Sequence, residues 1–78
     1  MNNTLFTPRS TTLHRVDYEP AGKVMQIEFR SGNVYRYLDV PQRLWAIFKL
    51  YVQCDGSPGA FFNEYIKGQF LSEKLIAA

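Results

Sequence analysis

Residues 24–37 constrain this chain more than any other stretch, because two alternating runs meet there across a turn of Ser31, Gly32 and Asn33. In the first run Met25, Ile27 and Phe29 fall on one side and Gln26, Glu28 and Arg30 on the other, the period of two that a half-buried strand requires. Val34, Tyr35, Arg36 and Tyr37 form the second run. With all three turn residues in the loop, Phe29 pairs with Tyr35, Ile27 with Tyr37, and Glu28 meets Arg36 as a cross-strand ion pair. A slip of one residue would carry the apolar set to the opposite face, so this loop is expected, with Gly32 or Asn33 left-handed.

Upstream, residues 13–19 alternate in the same way, with His14, Val16 and Tyr18 opposite Arg15 and Asp17, and a turn follows at Glu19, Pro20, Ala21 and Gly22. Residues 1–12 are rich in Asn, Thr and Ser without either period and read as a flexible N-terminal arm, leaving 13–78 as a single domain. A chain of 78 residues has room for one core, and a 46% hydrophobic, 15% aromatic composition places it outside the disordered class.

Beyond the strands the period changes. Asp39 as cap and Pro41 in the first turn open a helix expected to run to Gln53. Gln42, Arg43, Ala46, Lys49 and Gln53 share one narrow side of it, so Leu44, Trp45, Ile47, Phe48, Leu50, Tyr51 and Val52 cover more than a small sheet can bury. Trp45, Leu50 and Tyr51 are the expected surplus. Either they dock a protein or a second copy of the chain as a homo-oligomer, or they are the scattered apolar residues any small surface carries. Ser57, Pro58 and Gly59 begin a second helix that ends at Gly68, with Phe61 and Tyr65, and Phe62 and Ile66, paired one turn apart. Phe70, Leu71, Leu75 and Ile76 fold the tail back, and a short third helix is open for it. The expected class is α+β, a three-stranded antiparallel meander followed by two helices packed on one face.

The ordered set Val16-Asp17-Tyr18, Ile27-Glu28-Phe29-Arg30-Ser31-Gly32, Val34-Tyr35-Arg36-Tyr37, Val40-Pro41, Ser57-Pro58-Gly59 and Phe62-Asn63-Glu64-Tyr65-Ile66 resembles the KTSC domain, a module named for the C-terminus of some lysyl-tRNA synthetases. Tyr35-Arg36-Tyr37 stands where that family carries its central Tyr-x-Tyr. The stretch 49–56 departs from it, being longer than the usual one by about one helical turn. The resemblance implies RNA as a partner only through the company the family keeps.

One His and one Cys, without a Walker loop, HExxH, GxSxG or GxGxxG, leave no set of catalytic or metal-ligating residues, so neither enzyme activity nor a cofactor is expected. With no apolar run long enough for a membrane and a lone cysteine, the chain is read as cytoplasmic. The net charge of +2 permits a nucleic-acid partner without requiring one. Tyr35 and Tyr37 share a strand face, and either stack on bases or fill the core against Ile27 and Phe29. Arg30 and Arg36, on the other face among Glu28, Asp17 and Gln26, are either phosphate contacts or part of an ordinary solvated mix of charges. Ser57 and Gly59 open a helix whose free N–H groups suit a phosphate or a small nucleotide, with Asn63 and Lys67 in line to flank it, or else Ser57 is an ordinary N-cap and Asn63 and Lys67 the wet side of the helix. The preferred expectation is an RNA-binding module.

Overall fold

The computed structural model describes residues 3–77. Its sheet has five antiparallel strands in the order β1-β2-β3-β4-β5: β1 (Thr4–Phe6), β2 (Leu13–Glu19), β3 (Val24–Phe29), β4 (Val34–Tyr37) and β5 (Ser72–Ile76). The three-stranded expectation is therefore corrected at both edges. Thr4–Phe6, inside the segment read as an arm, pairs with β2 through Thr4 and Asp17, Leu5 and Val16, and Phe6 and Arg15; the arm's first two residues lie outside the described residues. Ser72–Ile76, where a third helix was open, pairs with β4 instead.

The loop between β3 and β4 has the expected length but sits one residue earlier. Phe29 and Asn33 close it through the Phe29 N–H to Asn33 O bond (2.9 Å), and Gly32 donates to Phe29 O (3.0 Å). A loop of this kind needs its left-handed residue last, and Gly32, at φ 96°, takes that place. The ladder consequently moves by two: Ile27 faces Tyr35, Met25 faces Tyr37 and Gln26 faces Arg36. A shift of two keeps every side chain on its face while changing every partner. Glu28 thus loses Arg36 and lies 3.9 Å from His14.

Between β4 and β5 the chain forms α1 (Gln42–Gln53), α2 (Pro58–Phe61) and a π-helical turn (Phe62–Ile66). Pro41, extended at φ −62°, ψ 144°, precedes α1 without a side-chain cap. Asp39, the expected cap, is instead a left-handed linker residue at φ 58°. Both helical units cover one sheet face, where Leu13, Val16, Tyr18, Met25, Ile27 and Tyr37 meet Trp45, Phe48, Phe61, Phe62 and Ile66. Trp45 stacks on Tyr18 (5.5 Å, 16°), whose hydroxyl donates to Val40 O at 2.6 Å. Trp45, at 2% exposure, belongs to the core and not to an outward surface, whereas Leu50 and Tyr51 are exposed. No helix among the described residues is long and apolar enough to cross a membrane.

Candidate functional site

Phe61 and Phe62 are consecutive and both buried, so the second helical unit is wedged between two surfaces. Phe61 faces α1, with ring centroids 4.6 Å from Phe48, while Phe62 faces the sheet, 5.3 Å from Phe29 and 5.7 Å from Tyr37. From Phe62 onward the backbone widens into the π turn, closed by the Lys67 N–H on Phe62 O (2.8 Å). Such single wide turns recur at functional sites. Here the turn carries Asn63 and Lys67 on its exposed side, and Gly68, at φ 77°, ends it as expected.

Between this turn and the β3–β4 hairpin lies a cleft of about 600 Å³, within the usual size of ligand pockets. Phe29, Tyr35, Tyr37 and Phe62 line its apolar part, and Arg30, Asn63 and Lys67 its polar part. No carboxylate is among the lining residues. Tyr37 is buried beneath Phe62, while Tyr35, half-buried, stacks on Tyr37 (6.3 Å, 27°) and carries Lys74 Nζ 5.7 Å from its ring centroid. Both earlier readings of the pair are thus divided between them, Tyr37 in the core and Tyr35 at the cleft.

Five of the expected binding residues, Tyr35, Tyr37, Arg30, Asn63 and Lys67, share this cleft. Three do not. Arg36 points to the opposite sheet face, 3.6 Å from Glu73, in a hollow lined also by Asp17 and Glu19, a setting that repels phosphate. Ser57 and Gly59 line a separate hollow between residues 8–12 and 52–59. There the Ser57 hydroxyl already accepts the Ala60 N–H (3.2 Å), and a Cβ on Gly59 would lie 3.3 Å from Thr12 Oγ1. N-capping and close packing, the other reading of this helix start, account for both residues. Thr12 and Phe62 were missed as lining residues, and Lys74 as the cation beside the Tyr35 ring, because only the tertiary fold brings them there.

Arg30 does more than line the cleft. Its guanidinium donates to Thr7 O (2.8 Å), Ser10 O (3.2 Å) and His14 Nδ1 (2.9 Å), and its backbone N–H to Thr12 O (2.9 Å). A guanidinium has no acceptor, so His14 Nδ1 accepts and its other nitrogen carries the proton. Arg30 therefore clasps residues 7–12, whose Thr11 and Thr12 wall off both hollows. Arg30→Ala is expected to cost about 1–3 kcal/mol and to speed amide exchange across 7–13; exchange unchanged from the wild type would show that other contacts hold this segment.

Burial, and then the neighbouring Tyr35, push the Tyr37 phenol up to about 12 from its ordinary value of 10.0. The folded state thus keeps a proton that the unfolded state gives up first. Its contribution to stability is full below pH 10 and is lost as the pH rises through 12. Tyr37→Phe should flatten the alkaline loss of stability over that window, read by melting temperature against pH. An unchanged profile would place the alkaline sensitivity elsewhere.

Comparison with known proteins adds a family. Residues 9–70 match the model of the KTSC domain. The chain is 33% identical over 73 residues to a lysine–tRNA ligase of Nostoc sp., covering 91% of this chain but only 12% of the ligase. A protein of Stutzerimonas stutzeri described as uncharacterised is 33% identical over 61 residues, 78% of this chain and 80% of that one. The crystal structure of a KTSC domain protein from Yersinia pestis superposes with a TM-score of 0.77 at 30% identity, covering 94% of this chain and 96% of that chain.

Proposed function

We propose a function from one settled premise: the chain belongs to the KTSC domain family. On that premise it is a non-catalytic binding module whose ligand is single-stranded RNA, held in the cleft between the β3–β4 hairpin and the π turn. One observation carries the reading. Of the three hollows described, this one alone joins aromatic rings to cations without a carboxylate.

An unpaired base stacks on the free part of Tyr35, as bases do on sheet aromatics in single-strand binders. Lys67 at the π turn and Lys74 beside the ring take the flanking phosphates, and Arg30 supports them from the far wall. Asn63 offers an amide to a base edge. Curated relatives in which this segment forms one part are lysine–tRNA ligases, and an RNA ligand suits that company. His14 is held by Arg30, and Cys54 is exposed with no partner for nucleophilic chemistry in the described residues, which favours binding over catalysis. A cytoplasmic setting fits both the lone cysteine and the ligand.

The test is an anisotropy titration of a short labelled single-stranded RNA at two salt concentrations. Two to three phosphate contacts predict an affinity loss of about 7–20-fold between ~50 and ~200 mM salt, from a slope of about −0.7 per contact. Lys67→Glu should remove about tenfold or more at the lower salt, since it loses one contact and adds a repelling charge. Absence of binding at low salt, or binding indifferent to salt, would sink the RNA reading.

A further inference from the structure

Three cations stand over aromatic rings among the described residues, and two of them have a local explanation. Arg15, 5.5 Å from the Phe6 centroid, is held by Asp17 at 2.9 Å. Lys49, 5.3 Å from the Trp45 centroid, covers a ring that is only 2% exposed and lines none of the hollows described. Lys74 differs from both, because the ring beneath it, Tyr35, lines the cleft.

The ladder between β4 and β5 puts Lys74 there. Lys74 lies opposite Tyr35 and Ser72 opposite Tyr37, so these two residues of the edge strand share the cleft's sheet face. Glu73, opposite Arg36, takes the other face and pairs with it at 3.6 Å. Lys74 is thus left without an ion pair among the described residues, and no carboxylate lines the cleft to supply one. What holds it is the ring. Tyr35 is stacked alongside Tyr37 (6.3 Å, 27°) and met edge-on by Phe29 (5.8 Å, 89°), so a base that stacks on Tyr35 has to take the place where Lys74 stands.

A cation on an exposed ring is a weak contact, equivalent to about two- to fivefold in affinity, whereas an ammonium on a phosphate oxygen makes a stronger, charge-assisted bond. Moving Lys74 off Tyr35 therefore opposes any ligand that brings no anion, and is more than offset by one that does. We propose that Lys74 sets the ligand class of the cleft, a step that rests on the reading of the cleft as a single-stranded RNA site. In the free protein it guards the Tyr35 ring, and it leaves the ring for a phosphate lying beside the stacked base. The cleft then selects nucleotides and strands over bare bases and nucleosides. Lys67, which stands over no ring, adds a phosphate contact without this selection.

The experiment compares the full chain with its Lys74→Ala and Lys74→Arg variants, using adenosine followed by amide shifts at millimolar concentration and a short labelled single-stranded RNA followed by anisotropy. Lys74→Ala should bind adenosine about two- to fivefold more tightly than wild type, because the ring is open. The same variant should lose about 0.7 from the salt slope of RNA binding, because one phosphate contact is gone. Lys74→Arg, which keeps both the cover and the charge, should stay within about twofold of wild type for adenosine. A residue that only contacts phosphate would change the slope and leave adenosine where it was. Adenosine affinity unmoved or lowered in Lys74→Ala, adenosine that neither protein binds, or an unchanged salt slope overturns the proposal while RNA binding by the wild type still stands. A wild-type chain that binds no RNA at low salt overturns the RNA reading and this proposal together.

Discussion

Phe48→Ala is expected to remove about 3–5 kcal/mol of stability, the usual cost of deleting a fully buried ring that the surroundings cannot refill. Phe48 is 0% exposed, its ring lies 4.6 Å from Phe61, and together they join α1 to the second helical unit. A domain of 78 residues has only about 4–12 kcal/mol in total, so the variant should be unfolded in a large fraction of molecules or lie close to it. Urea unfolding followed by Trp45 fluorescence should show the midpoint falling by about 3–5 M, if the slope is about 1 kcal/mol per molar. Ile47→Ala, one residue away but half-exposed, should cost well under 1 kcal/mol. Equal effects of the two would mean that α1 packs by a different face.

Tyr35→Ala should weaken RNA binding by about 5–150-fold, equivalent to the ~1–3 kcal/mol that one base gains by stacking on an aromatic ring. Tyr35→Phe should retain most of the affinity, because the stacking surface is the ring and not the hydroxyl. Arg36→Ala should leave binding unchanged within about twofold, since the guanidinium lies on the other sheet face against Glu73. Anisotropy titrations of the three variants, each checked for a cooperative melt, separate these outcomes. Loss of binding in Arg36→Ala with retention in Tyr35→Ala would move the site to the opposite face.

What could be read from the sequence follows how each element earns its burial. Strands β2 to β4 bury one face and so carry an alternating pattern, which is why Val16, Met25, Ile27 and Tyr37 were legible as inward-facing. Strand β5 is exposed along its whole length and held by its backbone ladder to β4, so no hydrophobic period exists to betray it, and Leu71, Leu75 and Ile76 imitate helical spacing. Strand β1, at three residues, is shorter than any period can register. The register of the hairpin was missed by two because side-chain matching fixes the faces, while the left-handed place of Gly32 fixes the partners. Trp45 was misjudged because a helical wheel cannot say which part of a wide apolar arc meets the sheet. The cleft was half legible: Tyr35 and Tyr37 share a strand face, and Asn63 and Lys67 a helix face. Their meeting depends on the π turn and on Phe62 bridging to Phe29, neither of which leaves a mark in local sequence.

The most direct measurement is the amide spectrum of the isotopically labelled protein titrated with a short single-stranded RNA at low salt. Shifts concentrated at Tyr35, Asn63, Lys67, Gly68 and Lys74, with Arg36, Ser57 and Gly59 unmoved, are the predicted result. Shifts confined to the Ser57 helix start or to the Arg36 face, or a spectrum that RNA leaves unchanged, would contradict the assignment of the cleft as the RNA site.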